Sequence, residues 1–190
     1  GGSFEYRLDN EATLDTGNGS TPTLTLPAVS PGDHIFQVRQ IDPYGNLNST
    51  CLGDYRRPKV RFPGSGGACD AASLAHAVIV FMQHERRRFV EELDYFTSPG
   101  WLTGGDSREK AGFARGGPLA VVTNLGVMKF HSQTKRMYLA EHYPGVTPQE
   151  VAEATGFAVD LSQARPGPEP SPEELAPLRE QVDPQRLILG

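Results

Sequence analysis

Residues 64–82 read GSGGACDAASLAHAVIVFM, and this stretch determines the predicted architecture. Its glycine-rich start is typical of a tight bend, and residues 68–75 predict a short helix. The run from Ala77 to Met82 is apolar throughout, as expected for a strand that is covered on both faces of a sheet. A loop, a helix and a buried strand thus follow one another, and this order indicates an α/β layer architecture.

The sequence after residue 82 continues the alternation. Thr147-Pro148-Gln149-Glu150 is a capping box with proline at the first helical position, which predicts a helix that ends near Thr155. A buried strand, a hairpin and a last helix are predicted by the same criteria at residues 119–125, 127–130 with 137–140, and 171–183.

The first 40 residues have a different pattern. Three short alternating segments, at residues 4–8, 21–26 and 35–39, predict antiparallel strands separated by glycine- and proline-containing turns. Three strands can bury one face only against another layer, so this segment is incomplete as a domain. We therefore expect a β-strand segment at residues 1–40 and a larger α/β domain at residues 41–190.

Composition excludes several classes of function. The chain has 190 residues and a net charge of -5 without a long basic run, so neither nucleic acid nor an anionic membrane is expected as a partner. No stretch approaches the roughly 20 apolar residues that span a bilayer, and the N-terminus lacks the pattern of an export signal. The two cysteines, Cys51 and Cys69, predict neither a disulfide framework nor a zinc site. A cytoplasmic location is the expectation.

The glycine-rich bend has two interpretations. Gly64, Ser65, Gly66 and Gly67 can form a cradle whose amide N–H groups stabilise an anion or an oxyanion. The alternative is a tight junction between a loop and a helix, which the pattern alone favours because such loops are common. No Lys-Ser or Lys-Thr pair follows, so the bend is not a nucleotide P-loop, and its spacing differs from the GxSxG pattern of hydrolases.

The basic run His84-Glu85-Arg86-Arg87-Arg88 also has two interpretations. Arg88 stands where a zinc protease would have its second histidine, so no metal site is predicted. The favoured interpretation is a solvated polar surface, and the functional one is a cationic patch for a phosphorylated cofactor or a partner's carboxylates. Three of the other histidines are interpreted as packing or surface residues rather than ligands: His76, His131 and His142.

An ordered series of motifs between Gln40 and Asp183 resembles the β subunit of class I CoA-transferases, in particular that of glutaconate CoA-transferase. The resemblance covers about three quarters of the chain. Its pieces are Gln40-Ile41-Asp42-Pro43-Tyr44-Gly45-Asn46-Leu47-Asn48-Ser49-Thr50, Arg61-Phe62-Pro63-Gly64-Ser65-Gly66-Gly67-Ala68-Cys69-Asp70, His84 to Val90, Thr97 to Gly100, Gly116 to Pro118, Val121 to Val127, and Tyr143 to Pro148.

This resemblance implies an open α/β sheet layered with helices that pairs with a separate α subunit. The family moves CoA from an acyl-CoA to a carboxylic acid through a glutamyl-CoA intermediate, so an acyl-CoA thioester and a carboxylic acid are the implied substrates and no bound cofactor is expected. Gly64 to Gly67 match the positions that hold the developing oxyanion. Asn46 and Asn48 follow the family's turn near the cleft, where a ligand-facing role and a loop-bracing role are both open.

The chain departs from the family in its first 40 residues. The resemblance places the nucleophilic glutamate upstream of the Asp42 turn with glycine two positions later, and neither Glu5 nor Glu11 has that setting. The first half of the sheet is therefore expected to be missing, which implies impaired transfer and exposed apolar edges. Residues 4–39 weakly resemble an immunoglobulin-like or sensor-type β-sandwich repeat, so a fusion, a misassembled gene model or a recombinant is expected.

Two other functions stay open at this point. One is a hydrolase that opens a cyclic β-oxo-acyl-CoA, as in steroid-ring degradation, and the same resemblance implies that its catalytic glutamate lies on the α subunit. A non-catalytic interaction module is the third hypothesis, and it derives from the β-sandwich-like start.

Overall fold

The computed structural model describes residues 40–113 and 116–182, together with the backbone of residues 5–6 and 14–15. Strands β1 (Glu5–Tyr6) and β2 (Leu14–Asp15) form a short antiparallel pair. Strand β1 falls within the segment predicted at residues 4–8, whereas β2 was not predicted. The strands predicted at residues 21–26 and 35–39 lie outside the described residues.

Two small antiparallel hairpins open the described domain. In the first, β3 (Gln40–Ile41) pairs with β4 (Leu47–Asn48) across the Asp42 turn, where Gly45 has a φ of 72° that favours glycine. In the second, β5 (Cys51–Leu52) pairs with β6 (Val60–Arg61).

A five-stranded mixed sheet forms the centre of the domain. Its strands are β7 (Val78–Phe81), β8 (Pro118–Val122), β9 (Gly126–Phe130), β10 (Met137–His142) and β11 (Arg165–Pro166), in the spatial order β11-β10-β9-β8-β7. The pairs β7–β8 and β10–β11 are parallel, and the two central pairs are antiparallel. The predicted strand at 119–125 is thus β8, and the predicted hairpin is β9–β10.

Short helices accompany the sheet: α1 (Ala68–Leu74), α2 (Ser107–Lys110), α3 (Pro148–Glu153) and α4 (Pro172–Pro177), the last continuing as a π-helical segment, Leu178–Val182. The capping box is confirmed at α3, where the Glu150 amide donates to the Thr147 hydroxyl and the Glu150 carboxylate accepts from the Thr147 amide. The α/β fold class is therefore confirmed, with short antiparallel hairpins before the main sheet.

The hydrophobic core lies on one side of the sheet. Its fully buried side chains come from the sheet, the first hairpin, α3 and the loop after β7: Ile41, Phe89, Val121, Met128, Met137, Leu139 and Val151. Isolated bridges from Ile41 to Phe89 and from Val90 to Gly156 tie the hairpin and the end of α3 to the same layer.

The prediction that β7 is covered on both faces is wrong for this chain. Ile79 is 50% exposed and Phe81 is 70% exposed, whereas Val80 between them is 5% exposed. The physical reason is position, because β7 ends the sheet and pairs only with β8 among the described strands. The prediction of exposed apolar edges is accordingly confirmed at β7.

Candidate functional site

The glycine bend, residues 64–67, connects the β5–β6 hairpin to α1. The Phe62 amide donates to the Thr50 carbonyl at 2.8 Å, and the Gly64 amide donates to the Ser49 carbonyl at 3.0 Å. Gly64 and Gly66 then take φ values of 95° and 48°. Because L-residues with side chains rarely adopt such values, glycine at these two positions allows the chain to reverse into the helix.

Three amide groups of the bend have no hydrogen-bond partner among the described residues. They are the N–H groups of Ser65, Gly66 and Gly67, and Gly66 and Gly67 are exposed. The Gly64 amide is engaged with the Ser49 carbonyl, so it is not a free donor. Three successive donors at the start of α1 are therefore without a partner, which is one requirement of an oxyanion cradle.

Asn46 braces the turn beside the site. Its Nδ2 donates to Asp42 Oδ2 at 2.6 Å and to the Leu102 carbonyl at 2.7 Å. Its Oδ1 accepts from the amides of Gly100 at 2.7 Å and Leu102 at 3.1 Å. The Asn46 side chain is fully engaged within the protein, so these contacts correspond to the loop-bracing alternative.

Asn48 braces the next loop in the same way. Its Nδ2 donates to Gln40 Oε1 and to the Cys51 carbonyl, both at 2.7 Å, and its Oδ1 accepts from the amides of Thr50 and Cys51. The side chain is completely buried. Asn48 therefore fixes the base of the hairpin that leads to the glycine bend.

The turn braced by Asn46 has a half-buried carboxylate, that of Asp42. Burial raises the pKa of Asp42, although hydrogen bonds from Asn46 and from the Tyr44 amide oppose that rise. A Cβ atom on Gly100 would lie 2.3 Å from the Gly45 carbonyl carbon. The turn and the segment at Pro99–Gly100 thus pack backbone against backbone, and no larger residue fits between them.

Arg108 is a structural residue that sequence analysis missed. Its guanidinium is 3% exposed and donates to the carbonyls of Gly100 at 2.9 Å and Ala72 at 2.8 Å, with longer contacts to Pro99 and Ser73. Ala72 and Ser73 belong to the last turn of α1, where carbonyls lack an intrahelical partner. Arg108 therefore ties the helix that follows the glycine bend to the segment held by Asn46.

Comparisons with known proteins identify the family. The family model for coenzyme A transferase matches residues 39–154. The glutaconate CoA-transferase β subunit of Acidaminococcus fermentans is 51% identical over 151 residues, which are 79% of this chain and 56% of that protein. The crystal structure of the glutaconate CoA-transferase from the same organism superimposes with a TM-score of 0.76 at 48% identity, covering 80% of this chain and 59% of that one. The chain belongs to the coenzyme A transferase family.

Two further relatives have lower sequence identity to this chain. The 3-oxoadipate CoA-transferase β subunit from Pseudomonas knackmussii is 38% identical over 74% of this chain and 54% of its own length. The IpdB subunit of a cholesterol ring-cleaving hydrolase from Mycobacterium tuberculosis is 32% identical over 80% of this chain and 61% of its own length. The chain spans little more than half the length of the curated relatives it matches.

The His84 side chain is buried, whereas the interpretation favoured by the sequence placed it on the surface. It was interpreted as part of a solvated polar surface, but it is 5% exposed and lies parallel to Phe89, with ring centroids 4.0 Å apart. Its two ring nitrogens contact the hydroxyls of Thr123 and Thr155 at 3.2 Å and 2.9 Å. Burial lowers the pKa of His84 to about 4. The surface interpretation is therefore wrong for His84, whereas Arg86 and Arg87 are exposed.

The three other histidines in the described part of the chain do not share a site. His131 lies 3.1 Å from an Asp160 carboxylate oxygen, His76 is exposed and His142 is half-buried. Among the described residues, no group of three or more histidine, cysteine, aspartate or glutamate side chains could hold a metal ion. In the same residues, no helix has the length and apolar character needed to cross a membrane.

Proposed function

We propose that this chain is the β subunit of a heteromeric CoA-transferase of the glutaconate or 3-oxoacid type, which moves CoA between an acyl-CoA and a carboxylic acid. The proposal depends above all on one observation: three unengaged amides at Ser65, Gly66 and Gly67, in a chain whose family acts on coenzyme A. The proposed partner is a CoA-transferase α subunit, and the proposed location is the cytoplasm, where acyl-CoA thioesters are metabolised.

The chemistry assigns a specific role to the glycine bend. A glutamate carboxylate attacks the thioester carbonyl, CoA leaves as a thiolate, and a mixed anhydride remains. The thiolate then attacks the glutamyl carbonyl of that anhydride, which releases the carboxylic acid and leaves a glutamyl-CoA thioester. Each attack places negative charge on a carbonyl oxygen, and the amides of Ser65, Gly66 and Gly67 are suited to stabilise that oxygen.

The nucleophile is proposed to lie outside this chain. Neither Glu5 nor Glu11 has glycine two positions later, and the remaining glutamates follow the Asp42 turn rather than precede it. In an assembled enzyme, the carboxylate would then come from an α subunit or from the part of the family fold that these 190 residues do not match. This chain would supply the oxyanion donors.

The transferase hypothesis is preferred to the steroid-ring hydrolase. The relatives named as transferase subunits are 51% and 38% identical to this chain, against 32% for the hydrolase subunit. A transferase passes CoA to an added carboxylate, whereas a hydrolase adds water to its substrate.

The test combines the purified chain with the α subunit of a glutaconate-type enzyme, an acyl-CoA and isotopically labelled acetate. Labelled acetyl-CoA is expected at a reduced rate, because neither Glu5 nor Glu11 matches the family's nucleophile, and mass spectrometry should locate the glutamyl-CoA adduct on a polypeptide other than this chain. An adduct on Glu5 or Glu11 would contradict the proposed position of the nucleophile. A stable 1:1 complex that neither transfers nor hydrolyses acyl-CoA would instead support the interaction-module hypothesis.

A further inference from the structure

A pocket beside the glycine bend has no role in the function proposed so far. It lies between the β5–β6 hairpin and residues 87–94 and has a volume of about 430 Å³. Lys59, Arg87 and Arg88 contribute its cationic groups, and Val60 and Phe62 contribute apolar surface. We call this space the basic pocket.

The pocket is locally cationic in a chain that is acidic overall. The hairpin and its loop, residues 51–61, contain one acidic side chain and four basic ones, in a protein with a net charge of -5. Within the described residues, the Lys59 ammonium group forms no ion pair. Its charge is therefore available to a ligand.

The acidic groups near the pocket are already engaged. Glu85 pairs with Arg87 and, at 3.3 Å, with Arg88, so two guanidinium groups share one carboxylate. The Asp94 carboxylate accepts hydrogen bonds from Gln40 Nε2 and from the Gly53 amide, each at 3.1 Å. Lys59, which has no ion-pair partner among the described residues, adds a positive charge that favours an anionic ligand.

The strand that lines the pocket leads directly into the glycine bend. The ladder between β5 and β6 extends through the hydrogen bond from Phe62 to Thr50 and the one from Gly64 to Ser49. An extended chain from Lys59 to Gly64 covers at most about 17 Å. In a CoA thioester, the pantetheine arm is an extended chain of comparable length that separates the sulfur from the phosphates.

We propose that the basic pocket binds the phosphate groups of the CoA thioester whose acyl end lies at the glycine bend. This inference rests on the proposed function, because it identifies the part of the substrate that the hairpin holds. Lys59 supplies a point charge, and the Arg87 guanidinium supplies planar donors that match phosphate oxygens. Val60 and Phe62 form the apolar side of the same space.

The test measures ligand binding to the full chain by calorimetry at low ionic strength. The probes are adenosine 3′,5′-bisphosphate, which carries the 3′-phosphate and one of the two 5′-phosphate groups of CoA without its thiol arm, and pantetheine, which carries the arm without the nucleotide. CoA and 3′-dephospho-CoA complete the series. We expect CoA to bind more tightly than dephospho-CoA, and the bisphosphate to lose affinity as salt is added.

Two variants locate the site. Lys59→Gln and Arg87→Gln should each weaken the bisphosphate by about five- to tenfold, since each removes one charged partner of phosphate. Both variants should leave pantetheine binding unchanged. Lys110→Gln is the matched control, because it removes an exposed lysine of helix α2 that lies outside the basic pocket, and it should bind every probe like the wild type.

The outcomes separate this inference from the proposed function. Equal affinity of the wild type and Lys59→Gln for the bisphosphate would overturn the inference, and so would an absence of measurable bisphosphate binding. Either result would leave the proposed function unaffected, because the labelled-acetate experiment tests that function separately. Conversely, loss of bisphosphate affinity in Lys59→Gln without any acyl transfer in the reconstituted complex would support the pocket and count against the transferase.

Discussion

The Arg108 guanidinium donates a 2.8 Å hydrogen bond to the carbonyl of Ala72, 36 residues earlier in the chain. This contact fixes the end of the helix whose beginning is the glycine bend, and the same guanidinium reaches Gly100. If the amides of the bend hold a reacting oxygen, as proposed, the bend must keep its position relative to the substrate. Displacement of a catalytic group by about 1 Å lowers the reaction rate by orders of magnitude.

Replacing Arg108 should therefore destabilise the domain. In Arg108→Met, the carbonyls of Ala72 and Gly100 lose a charged donor, and we expect the free energy of unfolding to fall by about 3 kcal/mol. Lys110→Met on the same helix is the control, since its side chain is 74% exposed and should change stability by less than about 0.5 kcal/mol. Urea unfolding followed by circular dichroism measures both variants. Equal unfolding midpoints for Arg108→Met and the wild type would refute the bracing role.

The two possible roles of Asn46 predict different results for Asn46→Ala. The structure shows four hydrogen bonds to this side chain, two as donor and two as acceptor, so its loss should lower the free energy of unfolding by about 3 kcal/mol. Bracing predicts that folded Asn46→Ala still binds CoA within about twofold of the wild type. A stable Asn46→Ala chain with sharply reduced CoA affinity would instead establish the ligand-facing role.

Gly67 offers a clean test of the oxyanion donors. Its φ of -78° is compatible with both alanine and proline, but only proline lacks the amide hydrogen. If that amide holds the oxyanion, Gly67→Pro should lower kcat of the reconstituted transferase by roughly 100-fold, while Gly67→Ala stays within a few-fold of the wild type. Steady-state kinetics of both variants with the α subunit provide the comparison. Equal kcat values for the two variants would show that this amide is not an oxyanion donor.

His84 lies between two threonine hydroxyls that are themselves engaged with the backbone. The Thr123 hydroxyl donates to the Gly126 carbonyl and accepts from the amides of Leu125 and Gly126, and the Thr155 hydroxyl donates to the Val151 carbonyl. The two ring nitrogens contact these hydroxyls at 3.2 Å and 2.9 Å, and no carboxylate pairs with the ring among the described residues. Burial without a charged partner lowers the pKa of His84 to about 4.

This arrangement predicts a loss of stability in acid. Between the usual histidine pKa of about 6.5 and the folded value of about 4, the unfolded chain binds a proton that the folded chain does not. The contribution of His84 is complete above pH 6.5 and decreases by about 3 kcal/mol as the pH falls to 4. Chemical denaturation at a series of pH values should show a smaller decrease for His84→Gln than for the wild type. His76→Gln is the control at an exposed histidine, and it should retain the full decrease.

Local features of the sequence were the predictable ones. The capping box at Thr147 and the glycine bend at residues 64–67 depend on side chains and φ angles a few residues apart, so the pattern contains the needed information. Arg108 and His84 were missed or misjudged because their partners are distant in sequence, with His84 separated from Thr123 by 39 residues and from Thr155 by 71. The run of arginines after His84 suggested a solvated surface, but the fold turns the histidine inward and leaves Arg87 outside.

The exposed side of β7 predicts self-association. Phe81 is 70% exposed on a strand that ends the sheet, and such an edge combines unpaired backbone groups with an apolar side chain. We expect the isolated chain to form concentration-dependent oligomers, and Phe81→Lys to reduce them, because a lysine on an edge strand opposes pairing with a second edge. Since the side chain contributes little to the core, the substitution should change the free energy of unfolding by less than about 0.5 kcal/mol. Size-exclusion chromatography with light scattering over a range of concentrations measures the effect. Val182→Lys provides the control, because Val182 is equally exposed at 70% but lies in the π-helical segment after α4 rather than on a strand of the sheet. If Val182→Lys reduced association as much as Phe81→Lys does, general surface charge rather than the β7 edge would be responsible. A wild-type chain that stayed monomeric at every concentration would contradict the prediction itself.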